Sequence, residues 1–243
     1  MEASAHLIDR YVAVWNEPDP AHRRRRIAEV WAPNGTTCYR LLDARGYEAI
    51  EARVTGSWDR WLRDGKYVFR AVKAVSHHQV IKFDFAMIST ADGRVEAKGL
   101  CYLLLDDDGR IVHDFQFNPS ANDALDLGQD YLASWYDRDA KHRRDRIEKL
   151  WADNGTFFAA NLKAAGRDAI GAAARQALSD LATNRLAASP VHQSQRHHNV
   201  AELGWKIAPE EASSPARAIS ALLIFDDSGR ISTAYHFEAP ETA

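Results

Sequence analysis

The chain has 243 residues, 46% of them hydrophobic and 27% charged, and a formal net charge of −3. This is the composition of a soluble globular protein with one large or two ordinary domains, and its charge excludes a general binder of phosphate backbones. The longest apolar run, residues 100–105, is far shorter than the roughly 20 residues a membrane helix needs, so neither nucleic acid nor membrane is expected as a partner.

A first helix is predicted over residues 5–16, where Leu7, Ile8, Tyr11, Val14 and Trp15 share one face. Glu17-Pro18-Asp19-Pro20 breaks it and starts a second helix that runs to about Trp31. Pro33-Asn34-Gly35 reads as a turn, residues 36–42 as a strand and residues 46–63 as a third helix. Antiparallel strands follow over 67–75, 80–89, 96–105 and 110–117, with hairpin turns at Ala91-Asp92-Gly93 and Asp107-Asp108-Gly109.

The same order then recurs. At a constant offset of 120 residues Tyr11 meets Tyr131, Trp15 meets Trp135 and Trp31-Ala32 meets Trp151-Ala152. Asn34-Gly35-Thr36 likewise meets Asn154-Gly155-Thr156, and His77-His78 meets His197-His198. A repeat this long means duplicated domains rather than a solenoid. The expected domains are 1–118 and 124–243, joined by the Pro/Ser/Asn/Asp cluster at 118–123. The expected fold class is α+β: two tandem cone-shaped domains, each a curved antiparallel sheet wrapped around three helices.

Period two in the strands assigns faces. Ile81, Phe83, Phe85 and Met87 should face the helices, as should Leu203, Trp205 and Ile207 in the second copy. On the last strand the same rule places Ile111, His113, Phe115 and Phe117 inside. Asp114 and Gln116 then fall outside, with His236 and Glu238 in the second copy, at a surface between the copies. Residues 100–105 are apolar on both faces, which predicts that the two copies pair through their sheets as an intrachain pseudo-twofold dimer, the chain being a monomer overall.

These residues resemble the SnoaL-like group of the nuclear transport factor 2-like superfamily. The resemblance is carried by Tyr11-x-x-x-Trp15, Ile27-x-x-x-Trp31-Ala32-Pro33-x-Gly35, Gly46-Tyr47-Glu48-Ala49-Ile50, and His77-His78-x-Val80 before Phe83-x-Phe85. It covers nearly the whole chain, once per copy. It implies a conical apolar pocket and back-to-back sheet pairing. Relatives include polyketide cyclases, ketosteroid isomerases, epoxide hydrolases, dehydratases and plain binding modules, and the fold alone does not choose among them. The family's enzymes generally work without cofactors, through carboxylates or a histidine at the pocket floor. The carboxylate positions align here with Tyr39 and Cys101, and with Ala159 and Ala221 in the second copy, so neither copy keeps that pair.

The remaining proton-transfer candidate is His113, on an otherwise apolar strand, with Tyr39 to polarise a substrate oxygen. Its counterpart Thr233 cannot exchange protons near neutral pH, so only the first copy would be active. Trp15, Trp58, Phe83, Phe85, Cys101 and Phe115 are the expected substrate-binding residues, with Trp205 and Tyr235 in the second copy. Asp43, Arg45 and Trp61 would lie near the pocket mouth. No metal site is expected, because adjacent strand residues such as His77 and His78 point to opposite faces. The basic run at 22–26 spreads around a helix and reads as a solvated face. Cys38 and Cys101 read as small core residues, and a reducing, cytoplasmic setting is expected.

The expected function is therefore a cofactor-independent lyase, isomerase or cyclase acting by general acid–base chemistry on an apolar oxygenated small molecule. The alternative is a non-catalytic binding or scaffold protein, and the further alternative is epoxide ring opening.

Overall fold

The computed structural model describes residues 2–118, 124–191, 194–209 and 217–238. The expected linker at 118–123 lies outside them, except for Asn118. The chain divides into two compact units, Met1–Pro119 and Ser120–Ala243.

In the N-terminal unit the elements are α1 (Glu2–Asn16), α2 (Pro20–Val30), β1 (Trp31–Tyr39), β2 (Leu42–Arg45), α3 (Gly46–Trp61), β3 (Tyr67–His77), β4 (Val80–Ser89), β5 (Val95–Leu105) and β6 (Ile111–Phe117). They form one six-stranded sheet in the order β2-β1-β6-β5-β4-β3, antiparallel except for the parallel β1–β6 pair. Pro20 occupies the first turn of α2, where a missing N–H costs nothing, and the Asp19 carboxylate accepts the His22 N–H at 2.7 Å as N-cap. The apolar stripe of α1 packs with Ile27, Trp31, Ile50 and Val54 against the sheet residues Ile81, Phe83, Cys101, Leu103 and Ile111.

The C-terminal unit repeats this with α4 (Leu125–Tyr136), α5 (Ala140–Leu150), β7 (Trp151–Ala159), β8 (Leu162–Ala165), α6 (Arg167–Thr183), β9 (Leu186–Pro190), β10 (Gln195–His197), β11 (Val200–Pro209), β12 (Arg217–Phe225) and β13 (Ile231–Glu238). Its sheet runs β10-β11-β12-β13-β7-β8, with β9 also paired to β11.

Two local expectations are corrected. Pro33-Asn34-Gly35 is no turn but part of β1, at a register irregularity between Trp31 and Thr36. A Cβ at Gly35 would lie 2.7 Å from the Ile111 carbonyl oxygen, so only glycine lets these two backbones approach. The chain then reverses at Arg40, which takes a left-handed φ of 53°, and returns as the short strand β2.

The larger correction concerns β6. Leu104 pairs with His113 but Leu105 pairs with Ile111, so Val112 is an extra residue, a β-bulge. One inserted residue exchanges the two faces of everything beyond it. Ile111 faces the core as expected. Past the bulge, Asp114 and Gln116 pair beside the inward-facing Leu103 and Cys101, while His113 and Phe115 pair beside Leu104 and Tyr102 on the other face. The same irregularity between Ile224 and Phe225 turns His236 inward in the second unit. Glu238 is exposed and pairs with Arg217 at 3.6 Å.

Candidate functional site

The N-terminal unit encloses a cavity of about 780 Å3 between α1, α3 and the sheet. This lies within the range typical of small-molecule sites. Trp15 on α1, Phe69 on β3, and Phe85 and Met87 on β4 supply apolar walls. Gly99 on β5 makes room for the Phe85 ring: a Cβ there would sit 1.9 Å from it. Tyr39, Arg53, Gln116 and Tyr11 supply the polar part of the lining, and Asp43, Arg40, Arg60, Trp61 and Lys98 also border the cavity.

Tyr11 and Gln116 stand over a carboxylate that solvent does not reach. Asp114 is fully buried, and its Oδ2 accepts from Thr37 Oγ1 at 2.8 Å, Tyr11 OH at 2.9 Å and Gln116 Nε2 at 2.9 Å. Its Oδ1 is buried without a hydrogen-bond partner. Burial pushes the Asp114 carboxyl up to about 6, against the pull of those donors and of the nearby Arg53 charge. The Tyr11 hydroxyl is held well above its ordinary range by burial and then by the Asp114 charge. Gln116 Nε2 also donates to the Tyr11 hydroxyl at 3.0 Å, and its Oε1 accepts from Arg53 Nη2 at 2.6 Å. The Arg53 guanidinium lies 5.3 Å from the Trp15 ring centre and 5.7 Å from that of Tyr39. The result is a continuous polar chain, Asp114–Tyr11–Gln116–Arg53, that begins beneath the floor and ends in the cavity.

Chemically, this chain can move a proton in either direction. Ionised Asp114 accepts from Tyr11, so the tyrosine oxygen can take a proton from a bound molecule while passing its own to Asp114. Protonated Asp114 can donate to Tyr11, whose hydroxyl is then free to donate into the cavity. A carboxyl near 6 populates both forms around neutral pH.

The expected site residues divide sharply. Tyr39, Trp15 and Phe85 line the cavity. Cys101 and Phe83 face inward but lie behind the floor, packed on Tyr11: Cys101 Sγ is 3.9 Å from its hydroxyl, and the Phe83 ring is edge-on at 5.5 Å. His113 and Phe115 are on the far face of β6, stacked at 5.5 Å, and His113 Nδ1 is 2.9 Å from Thr36 Oγ1. The placement of His113 at the pocket is therefore overturned by the bulge at Val112. Its imidazole is held below the usual range, first by burial and then by the Arg45 charge. Trp58 is not at the cavity and lies under Arg23 and Arg63, while Trp61 takes the position at the rim. Sequence reasoning missed Asp114, Gln116 and Arg53, and read Tyr11 only as part of an apolar helix face.

In the C-terminal unit aromatic rings crowd the position that Gln116 holds in the N-terminal unit. Thr37, Tyr39, Arg53, Gly99, Asp114 and Gln116 correspond to Phe157, Ala159, Ala173, Ile219, Ala234 and His236. The His236 ring lies 4.6 Å from Phe157, 4.8 Å from Trp205 and 5.1 Å from Trp135, and its Nε2 is 2.7 Å from the Tyr131 hydroxyl. Trp205 is thus a core residue, and Tyr235 points away from this core, stacked on Phe158 at 5.0 Å. A surface depression of about 290 Å3 lies between α4 and β9.

His77 and His78 sit at the β3–β4 turn, where His78 takes a positive φ of 49°. Among the described residues no three His, Cys, Asp or Glu side chains are grouped to hold a metal ion. Cys38 and Cys101 are both free and buried. No helix among the described residues is long and apolar enough to cross a membrane.

No family model and no curated protein matches this chain. Solved structures do, each over about half of it. A proposed isomerase of the SnoaL-like family from Agrobacterium tumefaciens is 26% identical, covering 49% of this chain and 98% of its own, with a TM-score of 0.45. A proposed SnoaL-like polyketide cyclase from Jannaschia sp. CCS1 is 13% identical, covering 52% and 89%, with a TM-score of 0.40. An NTF2-like protein of unknown function from Exiguobacterium sp. 255-15 is 17% identical, covering 47% and 99%, with a TM-score of 0.39.

Proposed function

We propose that the N-terminal unit is an acid–base enzyme of the isomerase or cyclase type, acting on a small oxygenated molecule, and that the C-terminal unit is its non-catalytic partner domain. The observation that carries this reading is Asp114, a fully buried carboxylate pushed up to about 6 and coupled through Tyr11 and Gln116 to an open cavity. Burying an ionisable group without a salt bridge costs stability, so such a group is a candidate for function. In this reading Tyr11 exchanges the proton with substrate and Asp114 stores it. Tyr39 orients and polarises the substrate oxygen, because no hydrogen bond occupies its hydroxyl among the described residues, and Gln116 holds Tyr11 and Asp114 in place. These groups perform proton transfer with the chain's own side chains. The C-terminal unit has Ala234 and His236 at the two key positions, with its interior occupied by aromatic rings.

Deuterium exchange at the α-carbon of a panel of bicyclic and tricyclic ketones and β-diketones, followed by proton NMR, tests the reading. The wild-type protein should accelerate exchange of at least one of them, and Asp114→Asn and Tyr11→Phe should each abolish the acceleration while near-ultraviolet circular dichroism stays unchanged. Equal rates in wild type and Asp114→Asn, or no acceleration anywhere in the panel, would contradict it.

A further inference from the structure

The charge around the cavity narrows the substrate further, on the premise that the cavity is the ligand site. Arg40, Arg53, Arg60 and Lys98 border it, against one acidic residue, Asp43, among the described residues of the lining. Asp114 lies beneath the floor and offsets part of this charge when ionised, but no carboxylate lies within ion-pair distance of Arg53 among the described residues. Arg53 spends one N–H on the neutral Gln116 side chain, and its Nε is buried without a partner. A guanidinium that borders an apolar cavity, with donors left over and no carboxylate in ion-pair contact, is a site for an oxyanion. Its attraction for an anion is stronger beside apolar walls than in bulk water. Arg40, Arg60 and Lys98 nearer the solvent add a positive rim that steers an anion inward.

We propose that the cavity takes an apolar anion: a ring-bearing molecule whose body lies against Phe69, Phe85 and Met87 and whose single acidic oxygen group docks on Arg53. A carboxylate, an acidic enolate or a phenolate meets that description equally, since each presents an oxyanion on a flat apolar frame. Neutral molecules of the same shape bind the walls but give the Arg53 donors no charged acceptor, so they gain less. Arg53 is thereby the residue that sets specificity.

Two fluorescent dyes with nearly the same body separate charge from shape: anilinonaphthalene sulfonate, an anion, and N-phenylnaphthylamine, which is neutral. On the full chain the anion should bind about tenfold tighter or more at low salt, with the preference shrinking as salt rises. Arg53→Met should equalise the two dyes, and Arg53→Lys should retain most of the preference, which shows that a Met variant failing only by misfolding is not the cause. Gly56→Trp should block both dyes, because residue 56 borders the cavity and a side chain there meets nothing within 4 Å. Equal affinity of the two dyes, or a preference that survives Arg53→Met, overturns the anion assignment and leaves the ligand cavity standing. Failure of both dyes to bind, or binding that survives Gly56→Trp, overturns the cavity as ligand site as well.

Discussion

The two units begin from one sequence pattern and spend their interiors differently. In both, a tyrosine on the first helix (Tyr11 or Tyr131) points its hydroxyl at the inner face of the last strand. In the N-terminal unit it meets a buried carboxylate under an open cavity. In the C-terminal unit it meets His236, which is packed among Phe157, Trp205 and Trp135. Six replacements mark the difference: Tyr39, Arg53 and Asp114 give way to alanine, which removes the polar groups, while Thr37, Gly99 and Gln116 give way to the bulkier Phe157, Ile219 and His236. Gly99 opposite Phe85 leaves room, whereas Ile219 opposite Trp205 takes it up. A ligand site has to leave empty space and a charged group without an ion-pair partner, and both cost stability.

The largest expected effect that would break this comparison is on catalysis. Asp114→Asn should lower the turnover of any identified substrate by roughly two to four orders of magnitude, the usual worth of a positioned acid–base group. The wild-type rate should also show an ionisation near 6 that the variant lacks. Substituting His236→Ala in the other unit should leave that ionisation in place, as steady-state rates across pH would show.

Next come the cores. Trp205→Ala opens a hole in a filled interior and should cost about 3–5 kcal/mol in denaturant unfolding. Phe85→Ala, whose ring already borders empty space, should cost clearly less, and equal losses would mean that the two interiors are equally packed.

The pH dependence of stability sharpens the contrast. Asp114 has a folded value near 6, above its ordinary 3.8, so the folded state holds the proton more tightly. Above 6 the native state carries a buried charge; as pH falls through 6 towards 3.8 that penalty is relieved. Wild type should therefore gain stability relative to Asp114→Asn across this window. A difference that is flat with pH in chemical denaturation would show that the carboxyl is solvated. The smallest effect is at Gly56, mid-helix on α3 with open space around it: Gly56→Ala should raise stability by about 0.5–1 kcal/mol, read from the melting curve.

Most of the fold was legible because a repeated pattern is read twice. The helix stripe around Tyr11 and the alternation through Ile81, Phe83, Phe85 and Met87 each recur 120 residues on, and both face inward as expected. Strand β2 was missed because Leu42–Arg45 is short and mixed in polarity, and its turn uses Arg40 at a positive φ instead of glycine or asparagine. The site was misread for one physical reason. The bulge at Val112 has no signature in local composition, and one extra residue was enough to send His113 outward and Asp114 inward. The available clue lay elsewhere in the chain: a tyrosine on a buried helix face needs a partner for its hydroxyl, and the outward assignment of Asp114 left Tyr11 without one.

The most direct test is to follow the Asp114 carboxyl carbon by NMR as pH is varied, with Asp114→Asn identifying its resonance. A midpoint near 6 would show that the carboxylate is buried beneath the cavity and poised to exchange a proton at neutral pH. A midpoint near the ordinary 3.8 would mean that water reaches it, and the N-terminal unit would then lack the feature that sets it apart from its copy.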